Sequence, residues 1–444
     1  MVGEWKSQPL SSLLAEGRGI SYGIVQPGAH QKDGVPIVRV RDIRGGRIAT
    51  DQPLRVAPEI EAAYARTRLT GGELLLTLVG TVGEAAVVPP EMKGWNVARA
   101  VAVIPVREDV GAYWIKLALN APGAREMIFG RLNTTVQATL NLKDVAQLPI
   151  LLPDEGERGR IAHILGTLDD KIELNRRMNE TLEAIARAIF KSWFVDFDPV
   201  RAKASGEGPE SICRRLGLTP DLLALFPDRL IDSELGQIPA GWVTESLYEM
   251  ATYINGAAYK AFEPNNLKRG LPIIKIAELK AGVTEQTKYS DVEMPEKYRI
   301  NRGDILFSWS GNPDTSIDTF VWTNGPAWLN QHIFRVVPPS ELERSFVLAM
   351  LKYLRPVFAE IARDKQTTGL GHVTVSDLKR LKFVKPPKSL LISWNEVIGP
   401  ILERAFLTGL ETQTLANHRD TLLPKLLSGE LRASLTDEVT EMTA

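Results

Sequence analysis

The chain has 444 residues, 44% of them hydrophobic and 24% charged, with a formal net charge of −1. These values suit two or three globular domains and exclude a chain that draws an anionic partner by overall charge. A lone cysteine, Cys213, excludes internal disulfides and cysteine zinc clusters; no run reaches the ~20 apolar residues that cross a bilayer, and Met1–Leu14 has no basic-then-apolar leader pattern, so a reducing cytoplasm is the expected setting.

Residues 1–152 read as a loop-rich α+β globule. Short apolar runs punctuated by Gly and Pro predict strands at Ile37–Val40, Leu74–Val79, Ala85–Val88 and Val101–Val106, with a short helix near Tyr113–Leu119. Seven arginines fall between Arg39 and Arg68 against four acids, a local basic cluster on a near-neutral body.

Residues 153–198 predict a long helix. Its apolar positions Ile161, Leu165, Leu168 and Ile172, then Leu182, Ala186, Ile189 and Trp193, alternate steps of four and three, with Asn175 and Asn179 in the two skipped places. That is a coiled-coil seam sustained over about four heptads. The outer face, with Arg176, Arg177, Phe190 and Phe194, is expected to be open to partner helices. Residues 199–238 carry Pro, Gly, Ser and mixed charge, and predict an exposed linker with a short helix around Asp221–Phe226.

Residues 239–388 predict a second globule, with a helix near Phe346–Arg363, and residues 389–432 a second, weaker seam through Ile398, Ile401, Ala405, Leu415, Leu422 and Leu426. Here Thr408 and Thr412 replace the two asparagines; polar residues at one level of both helices would fix register at some cost in stability. Residues 433–444 form an acidic tail with Asp437, Glu438 and Glu441.

The chain is written twice. Trp5 and Leu10 recur as Trp242 and Leu247; Gly34-Val-Pro-Ile-Val-Arg-Val-Arg-Asp42 returns as Gly270-Leu-Pro-Ile-Ile-Lys-Ile-Ala-Glu278; Arg68-Leu-Thr-Gly-Gly-Glu-Leu-Leu-Leu-Thr77 returns as Arg299-Ile-Asn-Arg-Gly-Asp-Ile-Leu-Phe-Ser308. From Thr134, which matches Thr367, the offset holds at 233 to the end of the unit. Drift in the earlier part marks loop insertions, and constancy marks a rigid element. The expected fold class is α+β: two similar globular domains joined by two long helices that form an antiparallel coiled coil, with a pseudo-two-fold internal repeat. A helix of roughly 35–40 residues spans about 50–60 Å, and equivalent DNA sites recur every ~34–36 Å. On this expectation the helices act as a ruler between two unlike half-sites.

The whole pattern resembles the specificity subunit of type I restriction–modification systems, from Trp5 to Arg432. The resemblance is carried by the run Ile161–Glu183, by Ser233-Glu-Leu-Gly-Gln-Ile-Pro-Ala-Gly-Trp242, and by Leu423-Pro-Lys-Leu-Leu-Ser-Gly-Glu-Leu-Arg432. The family's Glu-Gln-Arg at the first spacer start stands here as Glu157-Arg158, and the second spacer departs further with Trp394-Asn395-Glu396. The resemblance implies target-recognition domains that bind double-stranded DNA, two methyltransferase (modification) subunits as partners, and motor–nuclease (restriction) subunits where restriction occurs. S-adenosylmethionine, ATP and magnesium would then sit in the partner chains, with no cofactor in this one.

Motifs for independent chemistry are missing: there is no Gly-x-x-x-x-Gly-Lys-Ser/Thr loop, no Asp/Asn-Pro-Pro-Tyr/Phe run, and the five histidines lack ligand spacing. Major-groove reading favours Arg or Lys against guanine and Asn or Gln against adenine. The candidates in the first head are Arg39, Arg41, Arg44, Arg47, Thr134, Thr135 and Gln137. In the second they are Lys275, Ser310, Asn312, Asn330, Gln331, His332, Thr367, Thr368 and His372. The alternation of Arg39 and Arg41 with Val38 and Val40 equally fits a strand with one wet face. A coiled-coil scaffold with two protein-binding heads is the competing reading, and it suits the near-neutral charge.

Overall fold

The structure is a computed structural model that describes residues 5–49, 52–132, 138–366 and 369–433. The chain divides into two compact units, residues 1–172 with 414–444, and residues 173–413. Each unit is one head completed by parts of both long helices, Glu155–Phe194 and Lys388–Leu427, each 40 residues long.

In the first unit a four-stranded sheet runs in the order Ser21–Tyr22, Val101–Ile104, Leu74–Thr77, Ala85–Val87. All four residues of Leu74–Thr77 and of Val101–Ile104 are buried, which is why both read as continuous apolar runs rather than alternations. The strand Lys6–Pro9 pairs antiparallel with Pro149–Leu152 and ties the start of the head to its end. Ile161 and Leu165 are fully buried against this head with Leu426 and Leu427, and Leu168 and Leu422 pack beside them. Arg432 bonds Glu157 at 2.7 and 2.6 Å and Arg419 bonds Asp169 at 2.9 Å, so the helices run antiparallel here.

The second unit repeats the plan: its sheet order is Thr252–Asn255, Ile333–Val337, Ile305–Ser308, Asp318–Val321, and Val243–Ser246 pairs with Lys382–Lys385. Its helices also run antiparallel, Asn175 Nδ2 donating to Glu411 at 2.9 Å while Phe190, Trp193 and Phe194 meet Trp394. Asn175 and Thr408 are buried in the seam, and the remaining seam positions named above are buried or half-buried.

Three expectations change. Phe190 and Phe194 do not face outward; they are buried in an aromatic cluster with Phe346, Phe383 and Trp394, because the helix end is an inner wall of this unit. Residues 199–238 are not an exposed linker. They form helices Asp198–Ala204, Pro209–Leu216 and Pro220–Ala224 and a hairpin of Leu230–Ser233 with Gly236–Pro239, and bury Val200, Ile212, Leu223 and Phe226 in the same core. The prolines taken as breakers stand in the first turn of each helix, where the missing N–H costs nothing. The helix expected at Phe346–Arg363 is two, Glu341–Tyr353 and Arg355–Asp364, divided before Pro356.

Candidate nucleic-acid interface

In the second head, the ends of three strands bring aromatic and amide groups together. Trp309 follows the strand Ile305–Ser308, His332 precedes Ile333–Val337, and His372 lies on Gly371–His372, which pairs with Ser310–Gly311. Trp309 stands between the two imidazoles, with ring centroids 5.7 Å from His332 and 5.9 Å from His372. Its indole N–H donates to Asn255 Oδ1 at 3.1 Å, and Gln331 Nε2 lies 3.3 Å from His332 Nε2. Nδ1 of both histidines is buried without a hydrogen-bond partner. Burial pushes the His332 imidazole below its ordinary pKa, and the neighbouring His372 adds to the effect. Both half-exposed rings thus border a surface with indole, amide and imidazole groups, able to donate, accept and make apolar contact.

The first head has the same frame with other side chains. Leu78 N donates to Ala100 O as Trp309 N donates to His332 O. Val79 bridges Thr139 as Ser310 pairs with His372, and Ile24 bridges Ala98 as Ala257 bridges Asn330. Tyr22 pairs with Ala102 as Asn255 pairs with Phe334. Gly23 and Gly256 hold the close approach in each head: an added Cβ would lie 1.9 Å from Val97 O or 2.2 Å from Asn330 O. Where the second head has Asn255, Trp309, Gln331 and His372, the first therefore has Tyr22, Leu78, Arg99 and Thr139. The exposed Arg99 guanidinium lies 5.9 Å from the centre of the Tyr22 ring.

The sequence model described as "Type I restriction modification DNA specificity domain" matches residues 29–184 and 239–417, one match over each head with helix. The chain belongs to this DNA specificity family. Among curated relatives of the family, the "Type I restriction enzyme HindI specificity subunit" of Haemophilus influenzae is 28% identical over 66% of this chain and 71% of its own. The "Type I restriction enzyme MjaIX specificity subunit" of Methanocaldococcus jannaschii is 26% identical over 64% of this chain and 61% of its own. The solved type I restriction–modification S subunit from M. genitalium has a TM-score of 0.54 at 15% identity, covering 95% of this chain and 96% of its own, a likeness of fold.

Set against that family frame, the expected residues part company. Ser310, Asn330, Gln331, His332 and His372 come together around Trp309, with Ser310 and Asn330 themselves buried. Arg39 and Lys275 occupy equivalent places, each with its backbone N–H capped by an acid three residues on, at 2.9 and 3.0 Å. The Arg39 guanidinium is spent on Asp42 at 2.8 and 2.9 Å, and Lys275 lies 5.2 Å from the Tyr259 ring centre. Arg44 and Arg47 oppose each other in the hairpin of Ile43–Arg44 with Arg47–Ile48, beside the edge strand Ala85–Val87 and so at the sheet edge opposite Tyr22; Arg41 is exposed before it. Asn312 caps its own loop through Asp314 N and Thr315 N. Thr134, Thr135, Gln137, Thr367 and Thr368 lie outside the described residues. Sequence reasoning missed Tyr22, Leu78, Arg99 and Trp309. Carrying Asn330-Gln331-His332 back along the repeat would have found Ala98-Arg99-Ala100. Among the described residues no helix is long and apolar enough to cross a membrane.

Proposed function

We propose that the chain reads a bipartite, asymmetric double-stranded DNA target, one half with each head, and recruits two methyltransferase subunits, with motor–nuclease subunits where restriction is performed. One observation carries this reading: the two heads present unlike polar and aromatic side chains at equivalent positions of one frame. Arg99 suits the O6 and N7 acceptors of guanine, and Gln331 suits adenine. Trp309 offers apolar contact to a thymine methyl. The chain itself is non-catalytic in this reading, and S-adenosylmethionine, ATP and magnesium are used by the partner chains.

The test is a salt-titrated DNA-binding assay on the chain complexed with adenine-methyltransferase subunits. Selective binding of one bipartite sequence, with affinity falling steeply as salt rises, is the expected result. Binding without selectivity for any bipartite sequence and without salt dependence would contradict it.

A further inference from the structure

Across the edge strand Ser21–Tyr22 from the reading position of the first head lies an open cleft of about 600 Å³, lined among others by Gly17, Arg18, Ser21, Arg66, Arg68 and Thr70. Two of its three guanidiniums are pinned from behind by buried carboxylates. Arg68 Nε and Nη2 bond the two oxygens of Glu61 at 2.8 and 2.5 Å, and Glu61 also accepts from Asn96 at 3.0 Å. Arg18 bonds Glu73 Oε1 at 3.2 Å through both terminal nitrogens. The Glu73 carboxylate is itself fixed by Thr70 N at 2.9 Å, Thr70 Oγ1 at 2.6 Å and Gly71 N at 3.0 Å. Both acids are almost wholly buried, whereas Arg18 and Arg68 keep 36% and 47% of their side-chain surface open.

The third guanidinium, Arg66, is exposed and bonds no other side chain or carbonyl among the described residues. It gives the cleft one positive charge beyond what the two carboxylates balance. A planar fork held in place by a buried acid loses little freedom when it meets a second anion. A guanidinium also matches the paired oxygens of a phosphate. The strand residue Ser21 lines the cleft, and the next residue, Tyr22, carries the Arg99 contact. Phosphate contacts set a reader's register while base contacts specify the sequence, and here the two positions lie across one edge strand, on its opposite faces.

We infer that the Arg18–Arg66–Arg68 cleft binds a backbone phosphate of the DNA next to the first half-site. The inference rests on the DNA-reading function proposed above. Arg66 makes the free contact, and Arg18 and Arg68 form its fixed walls.

Arg66 is the residue to change, since its guanidinium bonds nothing among the described residues and its removal leaves neither Glu61 nor Glu73 unpaired. In the complex with methyltransferase subunits, Arg66→Ala should lower affinity for the target and for unrelated duplexes by similar factors. It should also reduce the slope of log affinity against log salt by about one, with the preference among first half-sites unchanged. Arg229→Ala, which removes an exposed arginine from the second unit, should leave the slope as it was. Wild-type binding that is salt-dependent, with a slope that Arg66→Ala does not alter, overturns the phosphate site and leaves the DNA reading intact. Wild-type binding without salt dependence overturns both.

Discussion

The two heads share a frame and differ at its rim. Gly23 and Gly256 keep the same close backbone approach, and the strands around them pair in the same order. Yet the first head has Tyr22, Arg99 and Thr139 at its rim, with Leu78 buried beneath, where the second has Asn255, Gln331, His372 and a half-buried Trp309. Their interiors differ as well. At one point of the repeat the first long helix buries Ile161 and the second buries Trp394, the latter among Phe190, Trp193 and Phe194. Variation at Tyr22, Arg99, Asn255 and Gln331 costs the fold little, because these exposed or half-exposed side chains are not what packs the sheet. A duplicated reader can therefore change what one head recognises without disturbing the other.

The largest expected effect probes the interiors. Trp394→Ala should destabilise the second unit by about 3–5 kcal/mol, and Ile161→Ala the first by about 2–5 kcal/mol. Hydrogen exchange resolved by unit would check this, and equal loss of protection in both units from either change would break the comparison. Next come the shared glycines. Gly256→Ala forces a Cβ toward Asn330 O and should cost about 1–3 kcal/mol, with Gly23→Ala similar, measured by denaturant unfolding. A neutral outcome would show that the close approach is not needed.

At the rim, Arg99→Ala should reduce discrimination at the first half-site by about 1–3 kcal/mol, and Gln331→Ala at the second by a like amount. Competition binding against single-base variants of the target reads this directly. The smallest effect is a difference in pH response. Burial holds His332 below the ordinary imidazole value of about 6.5, so the neutral ring is the form present at pH 7. As the pH falls through the lowered value, the ring gains a proton, an acceptor becomes a donor, and selectivity at the second half-site should decline. The first head has Ala100 and Thr139 at the places of His332 and His372, neither of which titrates, and its selectivity should hold over the same range. Parallel decline at both half-sites would contradict the assignment.

Much of this architecture was legible because it rests on periodicity. The seam from Ile161 to Trp193 and the offset from Thr134 to Thr367 depend on spacing, which survives divergence of side chains. The fold of residues 198–239 was hidden by composition: Pro199, Pro209 and Pro220 look like breaks and are helix starts. Phe190 and Phe194 were misplaced because a heptad assigns faces to a helix pair and knows nothing of a third wall, here the head carrying Phe346 and Phe383. The arginines between Arg39 and Arg68 looked like one patch. In the fold Arg39 is spent on Asp42, Arg55 bonds Gly34 O at 3.0 Å, and Arg66 and Arg68 line one cleft with Arg18, which lies outside that run. Reading positions were the least legible, since the repeat varies most where its frame is constant.

The central claim is that each head reads its own half of the target. The most direct measurement is selection from a randomised bipartite DNA library by the methyltransferase-bound chain, before and after residues 1–150 are exchanged for those of a relative with another target. The account predicts a new first half-site with the second half-site unchanged. A change in both halves, or in neither, would contradict it.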